Sequence, residues 1–237
     1  DLAGRLSIED IAGLMLYSKH QTVPQYREYD PMKYTYNGKP WHESGADTSA
    51  IADNQLKFLK EDNVRHVLLD RVESPSVCVK WINNIQAFVE GLGHGIPVNI
   101  SSDPRHETLA TDEFNSGSGG KISLWPTPIG LAATFDPAVA EKFGEIASRE
   151  FRALGIATNL APQAEIATDP RWRRFSGTFG EDPELAADFT RAYIDGFQTS
   201  YGEDLIENGW GYASVNCMVK HWPGGGPCEA GRDAHYA

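Results

Sequence analysis

Cysteine is scarce in this sequence, since Cys78, Cys217 and Cys228 are the only three among 237 residues. No two of them have the Cys-x-x-Cys spacing of a structural zinc site, which excludes a zinc ribbon or finger of that kind. An odd number leaves at least one cysteine unpaired within the chain. Cys78 and Cys217 lie in apolar runs, so we expect them to be small core residues, whereas Cys228 falls in a loop.

Basic residues and long apolar runs are also few. The 21 lysines and arginines face 33 aspartates and glutamates, which gives a net charge of -12. This balance argues against a nucleic-acid or anionic-membrane partner, because either would require a basic patch. No apolar run approaches the roughly 20 residues that span a bilayer. The composition is compatible with a neutral ligand such as a sugar.

Three predicted helices begin in the same way, with an acceptor side chain followed by proline. Ser74-Pro75, Asp136-Pro137 and Asp182-Pro183 each place an N-cap acceptor before a proline at the first helical position. Apolar residues then recur at three- and four-residue steps, and the first of these helices is expected to end near Gly91. A fourth helix is predicted from about Thr48 to Glu61.

Short apolar runs alternate with these helices, and they are Leu14–Tyr17, Val67–Leu69, Val98–Ser101, Thr158–Leu160 and Ala213–Val219. Such alternation indicates parallel strands joined by crossover helices, and we predict an α/β fold of the TIM-type (β/α) barrel. Five or six strand units can be counted, whereas a closed barrel needs about eight. We therefore expect residues 1–237 to be the N-terminal part of a barrel domain, with about six βα units. The polar segment 22–47 and segment 114–120 are predicted loops.

A cation and an imidazole stand side by side at the end of the last apolar run. Lys220 and His221 open the sequence Lys-His-Trp-Pro-Gly-Gly-Gly, which follows Val215–Val219 directly. In barrel-type α/β enzymes the carboxyl ends of the strands open into the substrate pocket. A lysine at the end of a buried strand is costly unless a polar group meets it. The pattern favours a functional site, and the alternative is a strand-end lysine that reaches solvent.

Two further segments, taken together with this motif, resemble glycoside hydrolase family 3, the β-glucosidase and β-xylosidase family. Segment 169–174 reads Asp-Pro-Arg-Trp-Arg-Arg and segment 179–184 reads Phe-Gly-Glu-Asp-Pro-Glu. The family typically has Asp-Pro-Arg-Trp-Gly-Arg, Gly-Glu-Asp-Pro and Lys-His-Phe-Pro-Gly in that order. Segment 95–106, in which a strand ends in an aspartate followed by a histidine, and the opening segment 1–10 are also similar to the family. The resemblance covers nearly the whole chain.

The resemblance implies a sugar-binding half-site. Asp103, Arg174, Lys220 and His221 match the family residues that bind hydroxyls of the non-reducing-end sugar. A carboxylate can accept hydrogen bonds from two adjacent hydroxyls, while lysine and arginine donate to hydroxyl oxygens. Because position 173 is Arg where the family usually has Gly, we prefer Arg174 by its position. The structural alternatives are a turn role for Asp103 and a plain salt bridge for Arg174.

Glycoside hydrolysis usually needs two carboxyl groups, and we assign neither of them in this chain. In the family the nucleophile is an aspartate in a Ser-Asp-Trp-like motif on a later strand, and no such motif occurs here. The glucosidase branch takes its general acid from a second domain. Asp169 and Glu181 are therefore not assigned as catalytic, and Glu181 and Asp182 are better explained by the cap and dipole of the following helix.

An Asp-x-His pair, Asp233 and His235, lies near the end of the chain and can act as a proton-transfer dyad. In the β-N-acetylglucosaminidase branch of the family, the histidine of an Asp-Ser-His sequence serves as acid/base. The Gly-Arg-Asp-Ala-His found here looks more like glucosidase-type members, in which the loop shapes the pocket. The loop-shaping role is favoured, and an acid/base role for His235 is the alternative.

Two tryptophans, Trp172 and Trp222, flank the motif residues. Aromatic faces suit the C–H faces of sugars, yet tryptophans are also ordinary core residues. For Trp222 we expect a core role, because the family has a phenylalanine at this position. The resemblance also implies cis peptides at Lys220–His221 and Trp222–Pro223.

The function implied by the resemblance is that of a retaining exo-β-glycosidase, with its nucleophile and general acid outside this chain. The alternatives are a β-N-acetylglucosaminidase, a lyase that forms a Schiff base on Lys220, and a non-catalytic sugar-binding fragment. No metal or organic cofactor is expected. The expected partners are a β-glucoside or related oligosaccharide and the remaining barrel segment and C-terminal domain of the same protein. We expect a periplasmic or secreted location.

Overall fold

The structure of the protein is a computed structural model, which describes residues 1–22, 34–70, 74–107, 122–200, 205–207, 209–222, 224–226 and 229–236. The chain divides into two compact units, the first comprising Asp1–Ser102 with Leu154–Ile156 and the second comprising Asp103–Ala153 and Ala157–Ala237. The predicted loop 114–120, part of the polar segment 22–47, Pro223 and Cys228 lie outside the described residues.

The first unit is built around parallel strands. In chain order its described elements are α1 (Ile8–Leu14), β1 (Tyr17–His20), β2 (Thr35–Tyr36), β3 (Lys39–Pro40), α2 (Trp41–Ser44), α3 (Asp53–Lys60), β4 (His66–Leu69), α4 (Pro75–Glu90) and β5 (Asn99–Ser102). β4 pairs in parallel with β1 and with β5, whereas β2 and β3 form a short antiparallel hairpin. The parallel pairing is that expected from the alternation of strands and helices.

α4 begins at the predicted residue. Ser74 Oγ accepts a hydrogen bond from Val77 N at 3.3 Å, Pro75 occupies the first helical position, and Gly91 follows the last turn. One side of the helix is buried and carries Cys78, Trp81, Ile82, Ile85 and Val89. Cys78 is a free cysteine with 0% exposure, which confirms its predicted core role.

The first strand lies three residues later than predicted. Ser7 Oγ accepts from Asp10 N, and Asp10 Oδ2 accepts from Ser7 N, so a capping box starts α1 at Ile8. That helix extends to Leu14, which the sequence pattern assigned to a strand. The prediction of a strand at Leu14–Tyr17 was therefore wrong, and β1 is Tyr17–His20.

The fourth predicted helix is shorter than expected. Asp47 Oδ1 accepts hydrogen bonds from Ser49 N at 2.8 Å and from Ser49 Oγ at 2.6 Å, and these bonds close a turn. The helix then begins only at Asp53, after Ala52 N has donated to Gln55 Oε1 at 3.0 Å. Local hydrogen bonding by aspartate and serine competes with the helical ladder, so the start predicted at Thr48 was wrong.

The second unit has the elements α5 (Pro128–Ala132), α6 (Pro137–Leu154), β6 (Thr158–Asn159), α7 (Pro183–Gln198), β7 (Leu205–Glu207), β8 (Trp210–Gly211) and β9 (Asn216–Cys217). β6 and β9 pair in parallel, with Thr158 opposite Asn216, while β7 and β8 are antiparallel. The last strand is shorter than the predicted run Ala213–Val219. Ser214 N donates to Gly211 O at 3.0 Å, which makes residues 211–214 a turn rather than strand.

α6 and α7 begin at the predicted acidic caps and share an aromatic core. Asp182 Oδ1 accepts from Leu185 N at 2.7 Å, in the manner of an N-cap. Phe143 of α6 packs against Tyr193 and Phe197 of α7, with ring centroids 5.4 and 5.9 Å away. This cluster fixes the two helices behind β6 and β9, whose carboxyl ends carry the site. None of the described helices is both long enough and apolar enough to span a membrane.

Candidate functional site

The backbone of the site continues the pairing of β6 and β9 beyond the ends of the two strands. Lys220 N donates to Pro162 O at 3.0 Å, and Ala164 N donates to Lys220 O at 2.9 Å. The Ala161–Pro162 and Lys220–His221 peptides are both cis, the second as the sequence resemblance implies, while Trp222–Pro223 lies outside the described residues. The two chain segments thereby place Lys220 and His221 beside Gln163 and Glu165.

Lys220 meets a carboxylate. Its Nζ donates to Asp103 Oδ1 at 2.6 Å, and the two side chains are 20% and 26% exposed. Because both groups are largely removed from solvent, their attraction is screened less than that of a surface pair. Each side chain retains some accessible surface, so the pair can be reached by a ligand.

His221 is held between a carboxylate and a guanidinium. Its Nδ1 contacts Glu165 Oε1, and Arg174 Nη2 lies 3.1 Å from its Nε2. A guanidinium can only donate, so Nε2 must carry the lone pair and Nδ1 must carry the proton. Arg174 Nη2 also donates to Gln163 Oε1 at 2.7 Å. The four residues predicted from the sequence to bind sugar thus form two contacting pairs, Lys220 with Asp103 and His221 with Arg174.

Glu165 is a site residue that the sequence reasoning missed. Its side chain is fully buried, and its Oε1 accepts from His221 N at 2.8 Å as well as from the His221 ring. Gln163 was also missed. Both follow the apolar run Thr158–Leu160 at alternate positions. The signal used for Lys220, a polar residue directly after a buried strand, does not reach these two, because Ala161 and Pro162 separate them from the run.

The Asp-x-His pair does form a hydrogen-bonded dyad. Asp233 Oδ1 contacts His235 Nδ1 and accepts from His235 N at 3.0 Å, and the His235 side chain is 59% exposed. Asp233 Oδ2 accepts from Trp172 Nε1 at 3.3 Å and lies 3.9 Å from Arg174 Nε. Burial acts to raise the pKa of Asp233, but the hydrogen bonds from His235 and Trp172 and the nearby Arg174 outweigh it, so the pKa lies below its ordinary value.

The two tryptophans have opposite environments. Trp172 is 3% exposed, and its Nε1 donates a hydrogen bond to Asp233 in the protein interior. Trp222 is 86% exposed, so the prediction of a core role for it was wrong within the described residues.

Other acidic residues near the motifs have structural roles. Asp169 accepts from Arg171 Nη2 at 2.7 Å, and the hydrogen bonds from the side chain and backbone of Arg171 lower the pKa of Asp169 to about 2. A carboxyl group with so low a pKa is a poor proton donor at neutral pH. Asp182 is the cap of α7. Among the residues that the structure describes, no group of three or more His, Cys, Asp or Glu side chains could hold a metal ion.

Parallel strands with charged side chains gathered at their carboxyl ends are typical of α/β proteins, barrels included. The five described strands that pair in parallel are fewer than the eight of a closed barrel. The sequence profile of the family described as "Glycosyl hydrolase family 3 N terminal domain" matches residues 36–237, and the chain belongs to glycoside hydrolase family 3. The resemblance and the α/β fold predicted from the sequence are thereby confirmed.

Two curated relatives match along the chain. The chain is 36% identical over 239 residues to "Probable beta-glucosidase C" of Aspergillus flavus, with 100% of this chain and 33% of the relative covered. It is 34% identical over 237 residues to "Periplasmic beta-glucosidase/beta-xylosidase" of Dickeya chrysanthemi, with 99% of this chain and 32% of the relative covered. The chain therefore spans about a third of the length of these relatives.

The solved structures agree on the fold. A β-glucosidase from Erythrobacter marinus, EmGH1, aligns with a TM-score of 0.69 at 21% identity, covering 98% of this chain and 26% of that chain. A β-glucosidase from Listeria innocua aligns with a TM-score of 0.62 at 22% identity, covering 97% of this chain and 26% of that one. At these identities the likeness concerns the fold alone.

Proposed function

We propose that this chain is the sugar-binding part of a retaining exo-β-glycosidase that removes terminal non-reducing β-linked sugar residues. The observation that carries the proposal is the pairing of Lys220 with Asp103 and of His221 with Arg174 at the strand ends. These are the four residues that match the family's sugar-binding positions. The names of the relatives, β-glucosidase and β-glucosidase/β-xylosidase, support a glucoside or xyloside as substrate.

The chemistry of these groups suits a sugar ring. The Asp103 carboxylate can accept hydrogen bonds from two adjacent hydroxyls, and the Lys220 ammonium balances its charge while donating to a hydroxyl oxygen. Arg174 supplies further donors, and His221 holds the guanidinium through its Nε2. Contacts of this kind accelerate the reaction when they strengthen as the ring flattens toward the oxocarbenium-like transition state.

The nucleophile and the general acid of the proposed reaction lie outside this chain. Asp169 and Asp182 are engaged by Arg171 and by the start of α7, which supports leaving them out of the catalytic pair. We propose that both catalytic carboxyl groups are supplied by further segments of the same protein. The relatives, three times the length of this chain, have room for such segments.

A second candidate, a β-N-acetylglucosaminidase, is supported by one observation. The Asp233–His235 pair has dyad geometry, with the imidazole largely exposed and its Nδ1 held by the carboxylate. Such a histidine could exchange a proton with a leaving group through Nε2. The curated relatives favour the glucosidase reading. In that reading the dyad instead shapes the loop and, through Asp233, helps to position Arg174.

An apolar groove on the second unit supports the proposal that more polypeptide packs here. The groove has a volume of about 560 Å³ and is lined by α7, by Ile166 and Val219 beyond the two strands, and by the exposed Trp222. An exposed apolar patch of this kind usually marks an interaction surface. We propose that a further segment of the same protein covers the groove.

Because one relative is periplasmic by name, we also propose a location outside the cytoplasm.

The test is a substrate panel on the full-length protein that carries this chain. We expect turnover of 4-nitrophenyl β-glucoside or β-xyloside above that of the N-acetyl-β-glucosaminide. Lys220→Met should lower kcat/KM about 100-fold, because it removes a charged hydrogen-bond donor. The control is Lys142→Met, which removes an exposed lysine of α6 paired with Glu145. Equal activity of the two variants, or preference for the N-acetylglucosaminide, would contradict the proposal.

A further inference from the structure

Glu165 is a buried carboxylate, and within the part of the chain that the structure describes its hydrogen bonds come from His221. Its side chain has no solvent exposure, and its Oε1 contacts both the backbone N and the ring Nδ1 of His221. Its other oxygen, Oε2, is buried and has no hydrogen-bond partner among the described residues. A buried charged group is costly unless it is paired. Among the described residues, the contact with His221 is the interaction that offsets the cost of burying Glu165.

The contact determines which nitrogen of His221 carries the proton. A carboxylate oxygen accepts and never donates, so Nδ1 must be the protonated nitrogen. Arg174 Nη2, a donor at 3.1 Å, faces the remaining nitrogen. In the opposite tautomer, two donors would meet at Nε2 and two acceptors at Nδ1. Glu165 thus makes His221 Nε2 a hydrogen-bond acceptor and lets Arg174 approach it.

The glycine-rich turn after His221 leaves room for this contact. A Cβ atom on Gly225 would lie 2.9 Å from Glu165 Oε1 and 3.4 Å from His221 Cβ, so any side chain there would displace the carboxylate. A Cβ on the next residue, Gly226, would meet nothing within 4 Å. Only the first of these two glycines is required by the packing around Glu165, which provides a matched pair of substitutions.

We propose that Glu165 is a positioning residue that acts through His221: it fixes the Nδ1-protonated tautomer, so that Nε2 accepts from Arg174 and sets the orientation of the guanidinium toward the sugar. This inference rests on the proposed function, in which His221 and Arg174 bind the non-reducing-end sugar. It adds a residue that does not itself touch the substrate. It also assigns a role to the close packing at Gly225.

The experiment is a double-mutant cycle in the full-length protein. Glu165→Met removes both acceptors, and Glu165→Gln keeps the shape and one acceptor. We expect kcat/KM on 4-nitrophenyl β-glucoside to fall about tenfold for Glu165→Met and less for Glu165→Gln, with the inhibition constant for glucose rising in parallel. In a His221→Ala background Glu165→Met should change kcat/KM less than about twofold, because the residue through which it acts is gone. Gly225→Ala should follow Glu165→Met, and Gly226→Ala should behave as wild type.

Additive losses would overturn the proposal, because they would mean that Glu165 supports the fold rather than His221. A second readout does not depend on hydrolysis. In protein labelled with ¹⁵N-histidine, the His221 signal, assigned by its loss in His221→Ala, should show a protonated Nδ1, and this tautomer preference should weaken in Glu165→Met, which removes the acceptor. If wild-type His221 is instead protonated on Nε2, the proposal is wrong even in an active enzyme. If no glycoside is hydrolysed but the tautomer is as expected, the proposed function fails and the positioning role stands.

Discussion

At the scale of single residues, a buried imidazole makes stability depend on pH. His20, at the end of β1, is 1% exposed and lies beside Phe58 and Trp81, with ring centroids 6.0 and 6.4 Å away. Burial lowers the pKa of His20 from 6.5 to about 4. The unfolded chain therefore binds this proton first as the pH falls. The contribution of His20 to stability is full above pH 6.5 and is lost as the pH falls toward 4.

We expect His20→Gln to flatten the pH dependence of unfolding in this range. Each pKa unit corresponds to about 1.4 kcal/mol, so wild type should lose up to about 3 kcal/mol through His20 between these limits. The measurement is the free energy of unfolding, or the melting temperature, at several pH values. His42→Gln is the control, because its side chain is 67% exposed. His106, whose pKa burial also lowers to about 4, leaves a residual slope in both variants.

The sequence predicted some site residues and not others for a physical reason. Lys220 and His221 could be predicted because a cation next to an imidazole at the end of an apolar run is unusual. Asp103 and Arg174 could be predicted because their motifs resemble those of a family. Glu165 lies between Ala164 and Ile166 and looks like an ordinary surface position. Its importance comes from burial and from one partner 56 residues away, and neither quantity is local in the sequence.

At the scale of elements, helices α6 and α7 cross at a pair of glycines. A Cβ on Gly196 would lie 2.2 Å from Glu141 O, and one on Gly144 would lie 2.9 Å from Gly196 Cα. The backbones can approach this closely only because neither residue has a side chain. The crossing brings Tyr193 and Phe197 against Phe143 and so supports the strands that carry the site.

Gly196→Ala should therefore be strongly destabilising. The added methyl group meets backbone, which cannot rotate away, and overpacking of this kind costs about 1–3 kcal/mol or more. For a domain of this size the melting temperature should fall by about 2–4 °C for each kcal/mol. The control is Gly91→Ala after α4, where φ is -77° and the nearest atom, Phe88 O, is 3.4 Å away. If both variants melt at the same temperature, the close crossing does not limit stability.

Helix starts were easier to predict than strand limits. The caps at Ser74 and Asp182 act within three residues, so a local pattern determines them. The ends of β1 and β9 depend on competing local structure, namely the capping box at Ser7 and the turn at Ser214. An apolar run indicates that a segment is buried, but the hydrogen-bond partners that make it a strand lie elsewhere in the chain.

At the scale of the whole molecule, alternation of strands and helices was enough to predict an α/β fold with parallel strands, because it follows from the periods of hydrophobic residues along the entire chain. The family was predicted from the resemblance of the motifs. Which apolar side chains of this fold are buried and which are exposed was not predictable in the same way. Trp222 was expected in the core because the family has a phenylalanine there, yet it is 86% exposed. It lines a groove that the described residues leave open.

This surface provides the last prediction. If a further segment of the protein covers the groove, a cysteine at Ala187, which lines it, should be protected from a maleimide in the full-length protein. A cysteine at Asp195, an exposed position of the same helix outside the groove, should label readily. Both positions are exposed in this chain, so a difference between them must come from polypeptide beyond it. Wild type corrects for reaction at the native cysteines. Equal labelling at the two positions would mean that the groove stays open and that the apolar surface serves another partner.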